Sequence, residues 1–420
     1  LAGAFYGPSN AAGVFNSTLK RPTETPVRRV SQSYEGNSQF VSRGDFGGRA
    51  GDNDKYGYRL NVMHGDGERY VEKSNLRREL VGLAVDTKVS DKTLVEANVS
   101  HYVYDQTGYP GAFSLSATGT LPSAPDPKKV GYGQAFSNSK VTSEIYGARV
   151  THQFNDDWKI SGGVQEQDVL RSINGAGNTL LSNNGLRSAS SESYTKQALL
   201  SNQLYLNGKV QTGRYKHDLV FGTNGYRNPS FKATNSAVAV QSCTGTISDP
   251  CTITNEPNWN GYGSFDKTGD TQDQTLIAGD TIALNDKWSV MGVASNSWID
   301  SENYADHSKD YRFDHAFSYS GALLYKPASN MSSYISYADS VQPGGTAPTG
   351  TSNANETLKP YDTTQYEVGY KVELSRIDLS AAALRDWEAT IFARDCLTLL
   401  ELLHSGMFTP KIGRASCRER

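Results

Sequence analysis

Three clusters of aromatic residues stand inside polar stretches of this 420-residue chain: Tyr109 with Phe113, Tyr132 with Phe136, and Trp259 with Tyr262 and Phe265. Flat rings in polar surroundings offer contact surfaces to a ligand. The same rings also serve to pack one loop against another. A second pair points to covalent chemistry. Cys243 and Cys251 bracket Cys-Thr-Gly-Thr-Ile-Ser-Asp-Pro-Cys. They are expected to form a disulfide that closes a small loop in an oxidising compartment. Neither a His nor a further Cys lies close enough in sequence to suggest a metal site there.

Catalytic patterns are not found. His64, His101, His152, His217, His307, His315 and His404 are scattered, with neither zinc spacing nor a nucleophile elbow. Gly44-Asp45-Phe46-Gly47-Gly48 sits on a strand pattern rather than at a helix start, so it forms no phosphate cradle. The net charge is −3 and the basic residues do not cluster, which argues against nucleic acid as a partner. The chain is expected to bind, not to catalyse.

The elements that would carry these residues are strands. Tyr366, Val368, Tyr370, Val372 and Leu374 share one face of a period-two pattern, while Glu367, Gly369, Lys371 and Glu373 share the other. Tyr56, Tyr58, Leu60 and Val62 alternate in the same way with Gly57, Arg59, Asn61 and Met63. Strands with one apolar and one charged face suit a wall between lipid and a wet lumen. About fifteen such patterns run through the chain. The connections alternate in length. Short turns are expected at Gly51–Asp54, Ser90–Lys92, Asn155–Asp157, Asn207–Gly213, Asn285–Lys287, Pro327–Asn330 and Ser375–Arg376. Long ones are expected at Gly65–Asn75, Gln106–Lys140, Arg171–Lys196, Arg227–Gln272, Ser301–Asp310 and Pro343–Asp362. Tight turns on one side and long loops on the other mark an up-and-down membrane barrel. Trp158 and Trp288 each follow a short turn, at the depth of an interfacial aromatic girdle. The chain has 40 Gly, 24 Tyr and only 37% hydrophobic residues, and its mean hydropathy is −0.55. That fits barrel strands, which turn only alternate residues to lipid, and excludes a long apolar helix.

The N-terminal segment narrows the type. Ala4-Phe5-Tyr6-Gly7 is followed by Gly13-Val14-Phe15-Asn16-Ser17-Thr18-Leu19-Lys20-Arg21-Pro22. This resembles the end of the plug domain in TonB-dependent siderophore receptors, with Ala12 where that family usually has Gly. Tyr56-Gly57-Tyr58-Arg59-Leu60-Asn61, Leu76-Arg77-Arg78-Glu79, Pro343-Gly344-Gly345, Leu358-Lys359-Pro360-Tyr361 and Gln365-Tyr366-Glu367-Val368-Gly369 are similar to the family's barrel strands in order and spacing.

The resemblance implies an all-β fold: an incomplete antiparallel transmembrane β-barrel, about 15 of about 22 strands, preceded by the last segment of a plug. Residues 1–25 are then the plug's end and 26–384 the partial barrel. It also implies a bacterial outer-membrane receptor that binds an Fe(III)-siderophore at extracellular loops and imports it with energy relayed by TonB. Such receptors line their pocket with aromatic side chains that meet a bulky, partly apolar chelate, so the resemblance makes Tyr109, Phe113, Tyr132, Phe136, Trp259, Tyr262 and Phe265 the candidate ligand-binding residues. It implies no covalently bound cofactor. About fifteen strands cannot close a barrel built for about 22, so the 420 residues alone are not expected to transport. Arg59, Arg149 and Glu367 are expected to line the lumen and to hold the plug. Two other readings stand beside this one: a barrel-anchored adhesin or attachment surface for phage and colicin, and a passive porin. After Ala383-Leu384 the alternation is expected to fail, with Trp387, Ile391, Phe392, Leu399, Leu400 and Leu403 in a helix-like pattern. Residues 385–411 read as a frameshifted or chimeric tail that contains Cys396. Ile412 to Arg420, with Cys417, read as a translated sequencing adapter.

Overall fold

The computed structural model describes residues 18–388 apart from 72, 110, 117–121, 125, 127, 129–130, 182–183, 237, 305–308, 343–351, 353–360 and 375–376. The Ala4–Ser17 motif, Pro343-Gly344-Gly345, Leu358-Lys359-Pro360, Cys396, Cys417 and the remaining tail lie outside the described residues.

The strands are β1 (Val27–Tyr34), β2 (Phe40–Ala50), β3 (Tyr56–Asp66), β4 (Asn75–Ser90), β5 (Thr93–Thr107), β6 (Phe113–Leu115), β7 (Asn138–Gln153), β8 (Trp158–Leu180) and β9 (Gly185–Thr212). They continue with β10 (Tyr215–Ala233), β11 (Val238–Thr246), β12 (Phe265–Ala283), β13 (Trp288–Asn303), β14 (Lys309–Tyr325), β15 (Met331–Gln342), β16 (Tyr361–Leu374) and β17 (Ile377–Glu388). β6 and β11 are short additions above the wall. The other fifteen form one antiparallel meander, each paired with the next in the chain. The sheet is not closed: among the described residues no ladder joins β1 to β17.

The two faces differ as the period-two pattern requires. Tyr58, Val81, Leu83, Val85, Val99, Tyr146, Val150, Val164 and Leu204 are exposed on the outer face. Val290, Leu323, Ile335 and Val368 form one outward row across four strands, all exposed. So wide an apolar band is unstable against water and comfortable against lipid. Aromatic residues bound it. At the short-turn end Trp288 stacks on Tyr325, ring centroids 4.3 Å apart. At the other end Tyr319 stacks on Tyr337, which meets Tyr366 edge-on, both at 5.2 Å. Phe317 and Tyr325 lie eight residues apart on β14. At about 3.3 Å per residue and a tilt near 40°, that spans roughly 20 Å of depth, close to the usual apolar band of about 25 Å.

The short turns repeat a motif. Asn155 Oδ1 accepts from the backbone N–H groups of Asp157 and Trp158, both at 2.9 Å. Asn285 Oδ1 does the same for Lys287 and Trp288, at 2.9 and 3.0 Å. Each Asn side chain replaces a backbone partner in the turn and delivers its Trp to the membrane interface.

Four expected boundaries differ. Arg227–Gln272 is not one long loop: β10 and β12 stay paired from Arg227↔Gln272 to Ala233↔Phe265, and β11 occupies part of what lies between. The stretch Arg171–Lys196 is not a loop: the β8–β9 ladder continues from Arg171↔Thr195 to Leu180↔Leu186. Side-chain bonds such as Ser188 Oγ to Asn178 Oδ1, 2.6 Å, hold a ladder that has little apolar packing to signal it. The Asn207–Gly213 turn is shorter, because Asn207 has ladder partners on both sides, Lys159 and Val220. The ladder of β17 runs past Leu384 to Glu388, and Trp387 pairs with Thr364 rather than opening a helix. Backbone ladder bonds need no alternation of side chains.

Candidate functional site

The lumen is polar. Arg59 donates twice to Asp45, Nε to Oδ1 at 2.5 Å and Nη2 to Oδ2 at 2.9 Å, with both side chains nearly buried. The segment before β1 lies against this wall. Lys20 Nζ reaches Asp45 at 2.9 Å and Asn61 at 3.1 Å, Arg21 pairs with Glu96 at 2.7 Å, and Arg59 donates to Thr23 at 3.3 Å. Glu24 meets Lys88 at 3.2 Å and Arg49 at 3.6 Å. Residues 18–24 are thus tied to the lumenal side of β2–β5 by charge. Arg149 lines a lumenal cavity of about 990 Å³ together with Lys20, Arg21, Tyr205 and Asp273. Glu367 accepts a hydrogen bond from the Tyr334 hydroxyl.

Above the apolar band β8 and β9 continue as a tall hairpin, and β6 and β11 extend it sideways. β6 pairs with β8 in parallel and β11 pairs with β9 antiparallel. Two connections close over one face of this platform: the described parts of residues 108–137 between β5 and β7, which include β6, and residues 247–264 before β12. Tyr132, Leu180 and Leu186 form its small core, with Ile247 against them. Gly111 and Gly133 stand where backbones touch. A Cβ on Gly111 would overlap the carbonyl oxygen of Ala176, and one on Gly133 that of Tyr109.

Most of the expected aromatic residues come together in this assembly as ring pairs, of which Phe136 with Trp259 bridges the two loops. Phe113 meets Tyr132 edge-on at 5.4 Å, and Phe136 meets Trp259 at 5.8 Å. Tyr262 stacks on Phe265 at 5.7 Å and meets Tyr194 edge-on at 5.5 Å. Tyr109 joins no such pair and lies over Gly175. Tyr132 is 3% exposed, so its ring is occupied by loop packing, whereas Phe113 and Tyr262 are 39% and 51% exposed. Burial raises the Tyr132 and Tyr109 phenols above their ordinary range, which keeps both neutral as hydrogen-bond donors.

Cys243 and Cys251 are joined by a disulfide, Cα atoms 6.0 Å apart. Its loop is held from below. The Tyr132 hydroxyl donates to Ile247 O at 2.8 Å, Gln134 Nε2 donates to Cys251 O at 3.1 Å, and Ile253 N–H donates to Gln134 Oε1 at 2.9 Å. Glu192, 1% exposed, accepts from Asn260 N–H at 3.1 Å and from the Tyr194 hydroxyl at 3.2 Å. Gln134, Asn178, Glu192 and Tyr194 carry no sequence signal: a buried polar residue in a polar loop looks like an exposed one. Among the described residues no three His, Cys, Asp or Glu side chains gather as metal ligands.

A polar lumen, an outer apolar belt between aromatic girdles, and tall loops on one side define a bacterial outer-membrane receptor barrel. A family model described as "TonB dependent receptor-like, beta-barrel" matches residues 85–387, and the chain belongs to that family. The family is one of receptors and transporters, not of enzymes. The chain is 24% identical over 406 residues to the ferrichrome outer membrane transporter/phage receptor of Escherichia coli K12, covering 87% of this chain and 52% of that protein. It is 22% identical over 397 residues to the ferric-pyoverdine receptor PbuA of Pseudomonas sp. M114, covering 89% and 46%. The chain thus spans about half the length of these curated relatives. Among solved structures, the E. coli ferric-catecholate import receptor Fiu superposes with a TM-score of 0.75 at 19% identity, over 91% of this chain and 61% of that one. The ferric preacinetobactin receptor BauA of Acinetobacter baumannii gives 0.73 at 21%, over 87% and 55%. At these identities the superpositions speak for the fold.

Proposed function

We propose that this chain is the wall and loop assembly of a receptor that binds a ferric siderophore at its extracellular loops and imports it with TonB-coupled energy. The observation that carries this reading is the platform above the membrane, where paired aromatic rings from three separate segments converge. Phe136, Trp259 and Tyr262 present flat, partly apolar surfaces, the kind a bulky chelate requires. The iron is cargo inside the chelate, so the protein needs no iron ligands of its own. Residues 1–25 are proposed as the end of a plug, and the barrel wall as running from residue 26 through β17, which ends at Glu388. The tie between residues 18–24 and the lumen supports that division and weighs against a passive porin. TonB would act on plug residues that precede these in the whole protein.

Attachment of phage or bacteriocin is a second reading. One relative is titled a phage receptor, and a solved neighbour is a complex with pyocin S2. The same loops serve both roles, so the two readings are compatible. The deciding experiment is growth of iron-starved cells that lack their own receptors and carry the complete gene, supplied in turn with ferrichrome, ferripyoverdine and a ferric catecholate. Growth on at least one chelate is expected. Failure on all of them, with the protein present in the outer membrane, would leave attachment as the better account.

A further inference from the structure

One loop of the platform is gripped in an unusual way. Ile247, Cys251, Ile253 and Asn260 are each held through a main-chain N–H or C=O, and the side chains that hold them come from other segments. Those three side chains, Tyr132, Gln134 and Glu192, are 3%, 2% and 1% exposed. Gln134 donates to Cys251 O and accepts from Ile253 N–H, as a neighbouring strand would. Glu192 takes the N–H of Asn260, beside Trp259 and two residues before Tyr262. The disulfide fixes the loop's own start. Main-chain atoms are the same in every residue, so such a frame is indifferent to most side chains it carries. Thr252, Thr254, Asn255, Asn258 and Tyr262 point outward and are exposed.

We infer that residues 252–262 are the specificity-setting wall of the ligand site, that Gln134 and Glu192 are positioning residues that hold this wall by its backbone, and that Tyr132 holds the turn at Ile247 that leads into it. The inference rests on the ferric-siderophore reading for what the wall selects. The frame itself does not depend on that reading. The division of labour is physical. Buried anchors set where the wall stands, and exposed side chains set which chelate shape and polarity it accepts. Ligand selection can then change through the exposed residues while the frame stays in place.

The test uses the full chain folded in detergent micelles, with two readouts. Amide hydrogen exchange across 247–262 reports the frame without any ligand. Gln134→Ala and Glu192→Ala are expected to speed exchange there roughly tenfold or more, with β2–β4 unchanged. Glu192→Gln keeps an oxygen for Asn260 N–H and is expected to stay near wild type. Thr252→Ala, Thr254→Ala and Asn258→Ala are expected to leave exchange as it was, while reordering the affinities for ferrichrome, ferripyoverdine and a ferric catecholate. Unchanged exchange in both alanine variants would overturn the positioning role. Exchange raised as much by the exposed substitutions would overturn the division of labour. If none of the chelates binds the wild-type chain, the specificity role falls with the siderophore reading, and the exchange data still decide the frame.

Discussion

Replacing Asp45 by Asn removes the charge that two cationic side chains, Arg59 and Lys20, share. Arg59 contacts that carboxylate through two nitrogens, at 2.5 and 2.9 Å, and Lys20 contacts it at 2.9 Å. The Arg59 and Asp45 side chains are only 11% and 10% exposed, so water cannot replace the lost partner. Breaking such a buried pair costs about 3–5 kcal/mol. Asn keeps one oxygen that still accepts from Arg59, which places the expected cost near the lower end, about 3 kcal/mol. With a urea m-value of about 3 kcal/mol/M, the midpoint should fall by roughly 1 M for the chain folded in micelles. The double variant Asp45→Leu with Arg59→Met removes both charges and, measured against Asp45→Leu and Arg59→Met alone, should recover much of the loss, giving a coupling of about 2 kcal/mol. Lys20 also loses an anchor, so limited proteolysis near residues 18–23 should accelerate. A single-variant cost under about 0.5 kcal/mol, with additive double-variant behaviour, would refute the idea that this pair is buried and shared.

Three further outcomes follow from the same structure. Glu35 bridges Arg43 at 2.9 Å and Arg78 at 2.6 Å, and the Arg43 hydrogen bond, opposed by partial burial and reinforced by Arg78, holds its carboxyl below the ordinary value of 4.5. Its contribution is full above that ordinary value and is lost as pH falls through the lowered one, so Glu35→Gln should destabilise the β1–β2 hairpin by up to about 1 kcal/mol at pH 7 and by progressively less below pH of about 4, read from urea midpoints against pH. Replacing Cys243 and Cys251 by Ser opens a loop of sequence separation 8 and should cost about 2–3 kcal/mol, read as faster proteolysis at residues 247–262 while the wall strands stay protected. Asn155→Ala deprives Asp157 and Trp158 of their acceptor and should cost about 1 kcal/mol in a thermal or urea titration, and Asn285→Ala should match it because the turn is the same.

The wall was legible because lipid and lumen impose opposite chemistry on alternate residues. Tyr366, Val368 and Tyr370 lie outward on β16 as the period-two reading requires, all exposed, and Arg59 faces in. Tight turns were legible through Asn and Gly. The upper half of the β8–β9 hairpin was not. Its Ser, Gly and Asn residues look like a loop in sequence, and only cross-strand pairs such as Asn178 with Ser188 make it a sheet. The aromatic clusters were legible as types, but clustering in sequence did not foretell their partners. Tyr132 pairs with Phe113 at the far end of the same connection, and Phe136 pairs with Trp259 across two loops, because both loops fold over the hairpin. The anchors Gln134 and Glu192 were invisible, since their role depends on burial by segments more than 60 positions away.

The most direct measurement is tryptophan fluorescence of the folded chain during titration with ferrichrome, ferripyoverdine and a ferric catecholate. Of the five tryptophans, Trp158, Trp288 and Trp298 belong to wall strands and Trp387 to β17, which leaves Trp259 as the one on the loop platform. The proposed site predicts saturable quenching by at least one chelate, largely lost in Trp259→Phe and kept in Trp158→Phe. Absence of saturable quenching by all three, or quenching that Trp259→Phe leaves intact, would contradict it.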